Sequence, residues 1–255
     1  MNRKLLAASA ALAGALSLSA CSYNESLGRN QLLLVNNSSL VTAATQAWAQ
    51  TLSRSRVSND PVANQRVRAV GSRIIQAAGL AGQPWEYAVF ENNTPNAFAL
   101  PGGKIGVNTG LLRLVANDDQ LAAIIGHEVA HSVANHAAER MSQQAAAQIG
   151  LGVASSALGG QVGAERARQI ASLGSAGAQV GVLLPFSRQH ELEADRLGVD
   201  YMHRAGFDTR QAVLLWETMA RQRTSGSTPS ILSTHPSDAS RIAALRQYLA
   251  SRGWA

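Results

Sequence analysis

The run from Leu121 to Val133 is apolar on every side of a helix, yet it contains Gly126-His127-Glu128-Val129-Ala130-His131. Leu121, Ala122, Ala123, Ile124, Ile125, Val129 and Val133 point nearly all the way round. Apart from His127, Glu128 and His131, nothing between Asp119 and His136 ionises. A helix that is apolar all round is a buried helix, and burying two imidazoles and a carboxylate is costly unless partners compensate. Helical residues four apart stand about 40° round and roughly 6 Å up from one another, so both imidazoles can reach one ion. A zinc ion suits this pattern, with Glu128 beside it as general acid and base.

Zinc in a hydrolase takes three protein ligands and keeps a position for water. A third histidine six residues beyond His131 is excluded, because that position is Ala137, and Ala134 stands where the same pattern needs glycine. A carboxylate on a later helix remains. At about 100° per residue, Glu191, Leu192, Asp195, Val199 and Met202 share one side of a helix over 188–204, while Glu193, Arg196, Asp200 and Arg204 share the other. Carboxylates inside an apolar stripe require a cation or donor to meet them. Glu191 is therefore read as the third metal ligand and Asp195, one turn on, as the acceptor that orients a ligand imidazole. Glu193 is read as a surface residue. The alternative is an inward carboxylate pair held by Arg188 or Arg241.

The first twenty residues read differently from the rest. Asn2-Arg3-Lys4, an apolar stretch from Leu5 to Leu18, and Leu18-Ser19-Ala20-Cys21 make a secretion signal, too short for a lasting span. The ending resembles a bacterial lipobox, and Cys21 is the only cysteine of the 255 residues. Lipid attachment at Cys21 is expected, with Ser22 fitting export to the outer membrane; an ordinary cut after Ala20 is the alternative. Loss of Arg3 and Lys4 takes Lys and Arg from 22 to 20 against 16 acidic residues, so net charge falls from +6 to +4. No basic cluster carries interleaved aromatics, so no nucleic acid is expected as a partner. Nothing in the sequence sets the oligomeric state.

The chain then divides into a lipid-anchored tether and first helix over 21–59 and a domain over 60–255. Tyr23 to Asn37 reads as a polar tether and Ser39 to Ser53 as a helix. Asp60-Pro61 starts another helix, as cap and first helical residue. Trp85 to Phe90 is strand-like, and Asn96 to Val107 reads as a hairpin turning at Pro101-Gly102-Gly103. Gly102-Gly103-Lys104 is no phosphate loop, since Phe98 and Ile105 stand where glycine and a hydroxyl residue are required. Asn117 and Gln120 cap the metal helix, which is expected to run to about Arg140. His136, about 180° from His127, is a packed or surface residue. Met141–Ala164 and Ser172–Phe186, rich in small residues, read as two helices over the site or a lid rather than membrane spans. Helices over Ser187–Arg204, from Asp208, and over Asp238–Ala250 complete the chain, with a polar loop from Arg221 to Thr234.

His127-Glu128-Val129-Ala130-His131, Ser187-Arg188 and Glu191-x-x-Ala194-Asp195 together resemble the zinc metallopeptidase family that includes HtpX and the CAAX prenyl proteases. Asn96-Ala97-Phe98-Ala99, Pro101-Gly102-Gly103, Gly110-Leu111-Leu112 and Thr234-His235-Pro236 with Arg241 match that pattern too, over about residues 60 to 250. The likeness is to the periplasmic lipoprotein branch, whose members are LoiP- and BepA-like. It implies an α+β fold, mostly helical, with a small sheet or hairpin beside the metal helix, and zinc on His127, His131 and Glu191. It further implies peptide hydrolysis of unfolded or misfolded envelope proteins, with His235 and Arg241 as candidates to stabilise the tetrahedral oxyanion. His235 could instead fill the open zinc position at rest. The competing function is a non-catalytic lipoprotein that assists outer-membrane protein assembly, with zinc only structural. The chain departs from HtpX and the prenyl proteases in lacking convincing spanning helices, so their substrates do not transfer.

Overall fold

The computed structural model describes residues 21–157, 186–224, 231–236 and 239–255. The expected leader, the first small-residue stretch beyond 157, the second up to 185, residues 225–230 and the expected last-helix start at Asp238 lie outside the described residues; of the expected polar loop, 221–224 and 231–234 are helical instead.

In chain order, β1 (Cys21–Asn24) and β2 (Arg29–Leu32) form an antiparallel hairpin, followed by α1 (Asn37–Arg54) and α2 (Pro61–Ala77). Then come β3 (Glu86–Phe90), β4 (Ala97–Leu100), β5 (Lys104–Asn108), α3 (Thr109–Leu114) and α4 (Asp118–Val133). The remaining elements are α5 (His136–Ala157), α6 (Arg188–Arg204), α7 (Arg210–Thr224), α8 (Ile231–Thr234) and α9 (Ala239–Ser251). The fold is α+β and mostly helical, with a three-stranded sheet ordered β3-β5-β4. No described helix is long and apolar enough to cross a membrane.

Local chemistry sets the helix starts. The Asp60 carboxylate accepts from the Val62 N–H at 2.9 Å, and Pro61 opens α2. At α4 the Asn117 side chain accepts from the Gln120 N–H at 2.9 Å while Gln120 Oε1 accepts from the Ala116 N–H at 2.9 Å. Both devices satisfy amides that the helix itself leaves open.

The sheet places one strand edge at the metal helix. β3 runs parallel to β5 and β4 antiparallel to it, with Ala99 opposite Ile105. The expected hairpin is therefore two strands of a larger sheet. β4 lies at the edge, and the Ala99 N–H donates to Glu128 Oε2 at 3.4 Å.

α4 and α6 are the centre of the core, and two glycines bring them together. A methyl group on Gly126 would stand 3.0 Å from the Gly198 carbonyl oxygen, and one on Gly198 would stand 3.0 Å from the His127 amide nitrogen. Glycine at both positions lets backbone meet backbone. Because the helices run antiparallel, Asp195 then falls beside His127 and Glu191 reaches both histidines.

Two expectations need correction here. The metal helix does not run on to Arg140: it ends at Val133, and Asn135 takes φ 53° before α5 begins at His136. Asparagine tolerates this left-handed backbone, and the break turns the following segment. The expected polar tether is in part the β1–β2 hairpin, docked on α5. Gln31 is buried, and its amide donates to the Ala134 carbonyl at 2.7 Å and to Glu139 Oε2 at 2.6 Å.

Candidate active site

His127 and His131 are presented by α4, Glu191 by α6, and His235 by the turn after α8; all four are buried. His127 Nε2 lies 3.1 Å from His131 Nε2, 3.1 Å from His235 Nδ1 and 3.5 Å from Glu191 Oε2. Glu191 Oε1 lies 3.4 Å from His131 Nε2 and 3.0 Å from His235 Nδ1. A tetrahedral ion bound at 2.0–2.1 Å spaces its ligand atoms about 3.3 Å apart, so these donors have the separations of a metal-ligand set. Glu128 stands next to them. Its Oε1 makes no hydrogen bond among the described residues; His235 Nε2 is 3.3 Å away, without the alignment that such a bond needs.

Charge around the donors is arranged by Arg241. Its Nε donates to Asp195 Oδ2 at 2.7 Å and its Nη2 to Asp195 Oδ1 at 2.8 Å, while Nη1 lies 2.5 Å from Glu191 Oε2. The guanidinium rests 4.0 Å over the Trp216 ring, which also touches the His127 ring at 5.3 Å. Burial alone would raise the Glu191 and Asp195 carboxyls; Arg241 and His127 outweigh it and hold both below the usual carboxylate range. Burial likewise pushes the two imidazoles down, and it wins at His131, which falls well below its ordinary value. At His127 the Glu191 and Asp195 carboxylates win and raise the imidazole to about 9.

The model of peptidase family M48 matches residues 61–249. The chain belongs to that family. It is 40% identical over 186 residues to the mitochondrial metalloendopeptidase OMA1 of Schizosaccharomyces pombe, covering 72% of this chain and 52% of that protein. It is 32% identical over 191 residues to the beta-barrel assembly-enhancing protease of Escherichia coli K12, covering 74% of this chain and 39% of that protein. A putative beta-barrel assembly-enhancing protease of Vibrio cholerae is 28% identical over 193 residues. The chain thus spans about half or less of these relatives' length. M48 peptidases are metal-dependent, and the cluster around His127 is one of two groups among the described residues with the spacing to hold an ion.

Beside the M48 cluster lies a cavity of about 630 Å³, lined among others by Phe98, Leu100, Met141, Phe186, Glu128 and His235. Arg241 does not line it. Both oxygens of Asp195 and one of Glu191 lie against its guanidinium, so Arg241 holds the two carboxylates in place. His235, by contrast, faces the cavity.

Sequence reading missed three contributors. Phe186 stacks on His131 at 3.9 Å and on His235 at 5.2 Å, and the Arg140 guanidinium lies 4.1 Å over the Phe186 ring. Its only signal was an aromatic at the end of a small-residue stretch. His136 is fully buried with Nδ1 2.9 Å from His131 Nδ1, because the break at Asn135 swings it back toward the site. Glu193 is not a surface residue. Its side chain is 14% exposed and pairs with Arg29 at 2.6 Å and His136 at 3.0 Å, because the N-terminal hairpin covers the side of α6 opposite Glu191.

Proposed function

We propose that this M48 chain is a zinc-dependent endopeptidase of the bacterial cell envelope, lipid-anchored through Cys21 at the periplasmic face of the outer membrane. Its substrates are unfolded or misfolded envelope proteins. The observation that carries the reading is the buried set His127, His131 and Glu191, with the unbonded Glu128 Oε1 beside it at the wall of an open cavity. The names of the bacterial relatives support the envelope location, and Cys21 is exposed at the start of β1.

Zinc on His127, His131 and Glu191 would supply a Lewis acid for the scissile carbonyl. The chain's own groups do the rest. Glu128 takes a proton from the attacking water and returns it to the leaving amine. The edge of β4, whose Ala99 N–H already aims at Glu128, pairs with the backbone of an extended peptide, and the apolar cavity wall receives its side chains. His235 donates to the oxyanion. The test is Glu128→Gln, which should retain one zinc per chain by elemental analysis while cleavage of an unfolded protein such as casein falls by at least about a thousandfold. Unchanged cleavage by that variant refutes the mechanism.

One observation favours the competing, non-catalytic reading: His235 Nδ1 is close enough to act as a fourth ligand and close the site. His235→Ala separates the two. If the ion is catalytic, zinc stays bound and thermal stability holds while cleavage of a small peptide falls about 100- to 1000-fold, as expected for a lost oxyanion donor. If the ion is structural, zinc affinity and thermal stability fall together.

A further inference from the structure

The two α4 histidines are oriented by different partners. His127 offers Nδ1 to Asp195 Oδ1 at 2.9 Å, a carboxylate orienting an imidazole directly. At His131 the corresponding nitrogen meets another imidazole, His136 Nδ1, at 2.9 Å. His136 Nε2 lies 3.0 Å from Glu193 Oε2. Arg29 grips Glu193 with Nε on Oε1 at 2.6 Å and Nη2 on Oε2 at 2.7 Å. The same guanidinium holds Glu139 through Nη1 and Nη2 at 2.7 and 2.8 Å.

Two ring nitrogens facing each other share one proton, and the far end of the row decides which ring carries it. An ionised carboxylate only accepts, so Glu193 requires the His136 proton on Nε2. His136 Nδ1 is then an acceptor, and His131 must carry its proton on Nδ1. That leaves the His131 Nε2 lone pair bare, facing His127 Nε2 and Glu191. With the row reversed, His131 would be protonated on Nε2 and unable to ligate.

We propose that the N-terminal hairpin is a positioning element of the metal site: Arg29 fixes Glu193, Glu193 fixes the tautomer of His136, and His136 fixes His131 with Nε2 free for the ion. The inference rests on the metal reading above. Arg29 lies before residue 61, where the match to the family begins, so this support comes from outside the matched domain. His136, Glu139 and His190 also have the spacing of metal ligands, but Arg29 already places its positive charge on Glu139 and opposes a second ion.

The test uses the full chain. In the metal-free protein, imidazole nitrogen-15 shifts should show His131 protonated on Nδ1 in wild type and a mixture of tautomers in Arg29→Ala and Glu193→Gln. Zinc affinity, measured by competition with a chromogenic chelator, should fall about 10–100-fold in His136→Phe. It should stay within about threefold in His136→Gln, whose amide accepts from His131 and donates to Glu193. Arg29→Ala should weaken zinc binding less than His136→Phe and add nothing in the double variant. The proposal is overturned by wild-type zinc affinity in a His136→Phe protein that melts normally, by an Arg29→Ala loss undiminished in the double variant, or by Nδ1 of His131 unprotonated in wild type. A wild-type chain that binds no zinc refutes the metal reading alone, and the nitrogen shifts still decide the proton row.

Discussion

His127 and His131 are one helical turn apart, yet they are propped from opposite ends of the chain. Behind His127 stand Asp195 and Arg241, on α6 and α9, and Arg241 is 2% exposed between two carboxylates and the Trp216 ring. Behind His131 stand His136, Glu193 and Arg29, and the Arg29 side chain is 22% exposed. The first prop is dry and lies within the segment matched by the family; the second reaches solvent and borrows from a hairpin outside it. A buried charge that loses its partner is left without water to replace it, whereas a part-exposed one is rehydrated. The two props should therefore fail differently, one by loss of folding and the other by loss of alignment.

The largest expected effect is on the dry prop. Arg241→Ala strands the Asp195 and Glu191 carboxylates and should cost about 3–5 kcal/mol of stability in urea unfolding of the metal-free protein. A loss below about 1 kcal/mol would break the distinction between the two sides. Gly198→Ala comes next. Its methyl would press on the His127 backbone, so about 1–3 kcal/mol of destabilisation is expected, with weaker zinc binding because Glu191 and Asp195 move with α6. Should zinc affinity hold while stability falls, the ligand carboxylates are not positioned by this contact. The smallest effect concerns pH and the solvated prop. Burial raises the Glu193 and Glu139 carboxyls, but Arg29 outweighs it and holds both below their ordinary 4.5. Depressed carboxyls contribute stability that is complete above that value and lost as pH falls through the lowered ones. The melting-temperature gap between wild type and Arg29→Ala should accordingly be widest above about pH 5 and narrow on further acidification. A gap that widens in acid would reverse the sign and exclude these carboxylates as its source.

Several parts of this arrangement were legible in advance. Apolar residues all round 121–133 required α4 to be buried, and four-residue spacing put His127 and His131 on one face. The same periodicity separated Glu191 and Asp195 from the outward side of α6, and both are buried. Asn117 with Gln120, and Asp60 with Pro61, marked helix starts through contacts only a few residues long.

By itself, the sequence determined which residues share a helix face, where α2 and α4 begin and that α4 is interior, because hydrophobic periodicity and capping act within a turn or two of chain. Only the tertiary structure decided what covers the opposite face of α6, where α4 breaks at Asn135, and that His235 joins the cluster. Glu193 and Arg29 are 164 residues apart, and nothing in either local pattern specifies the other. Such pairs form when packing excludes water from one side of a helix and leaves a carboxylate there in need of a cation.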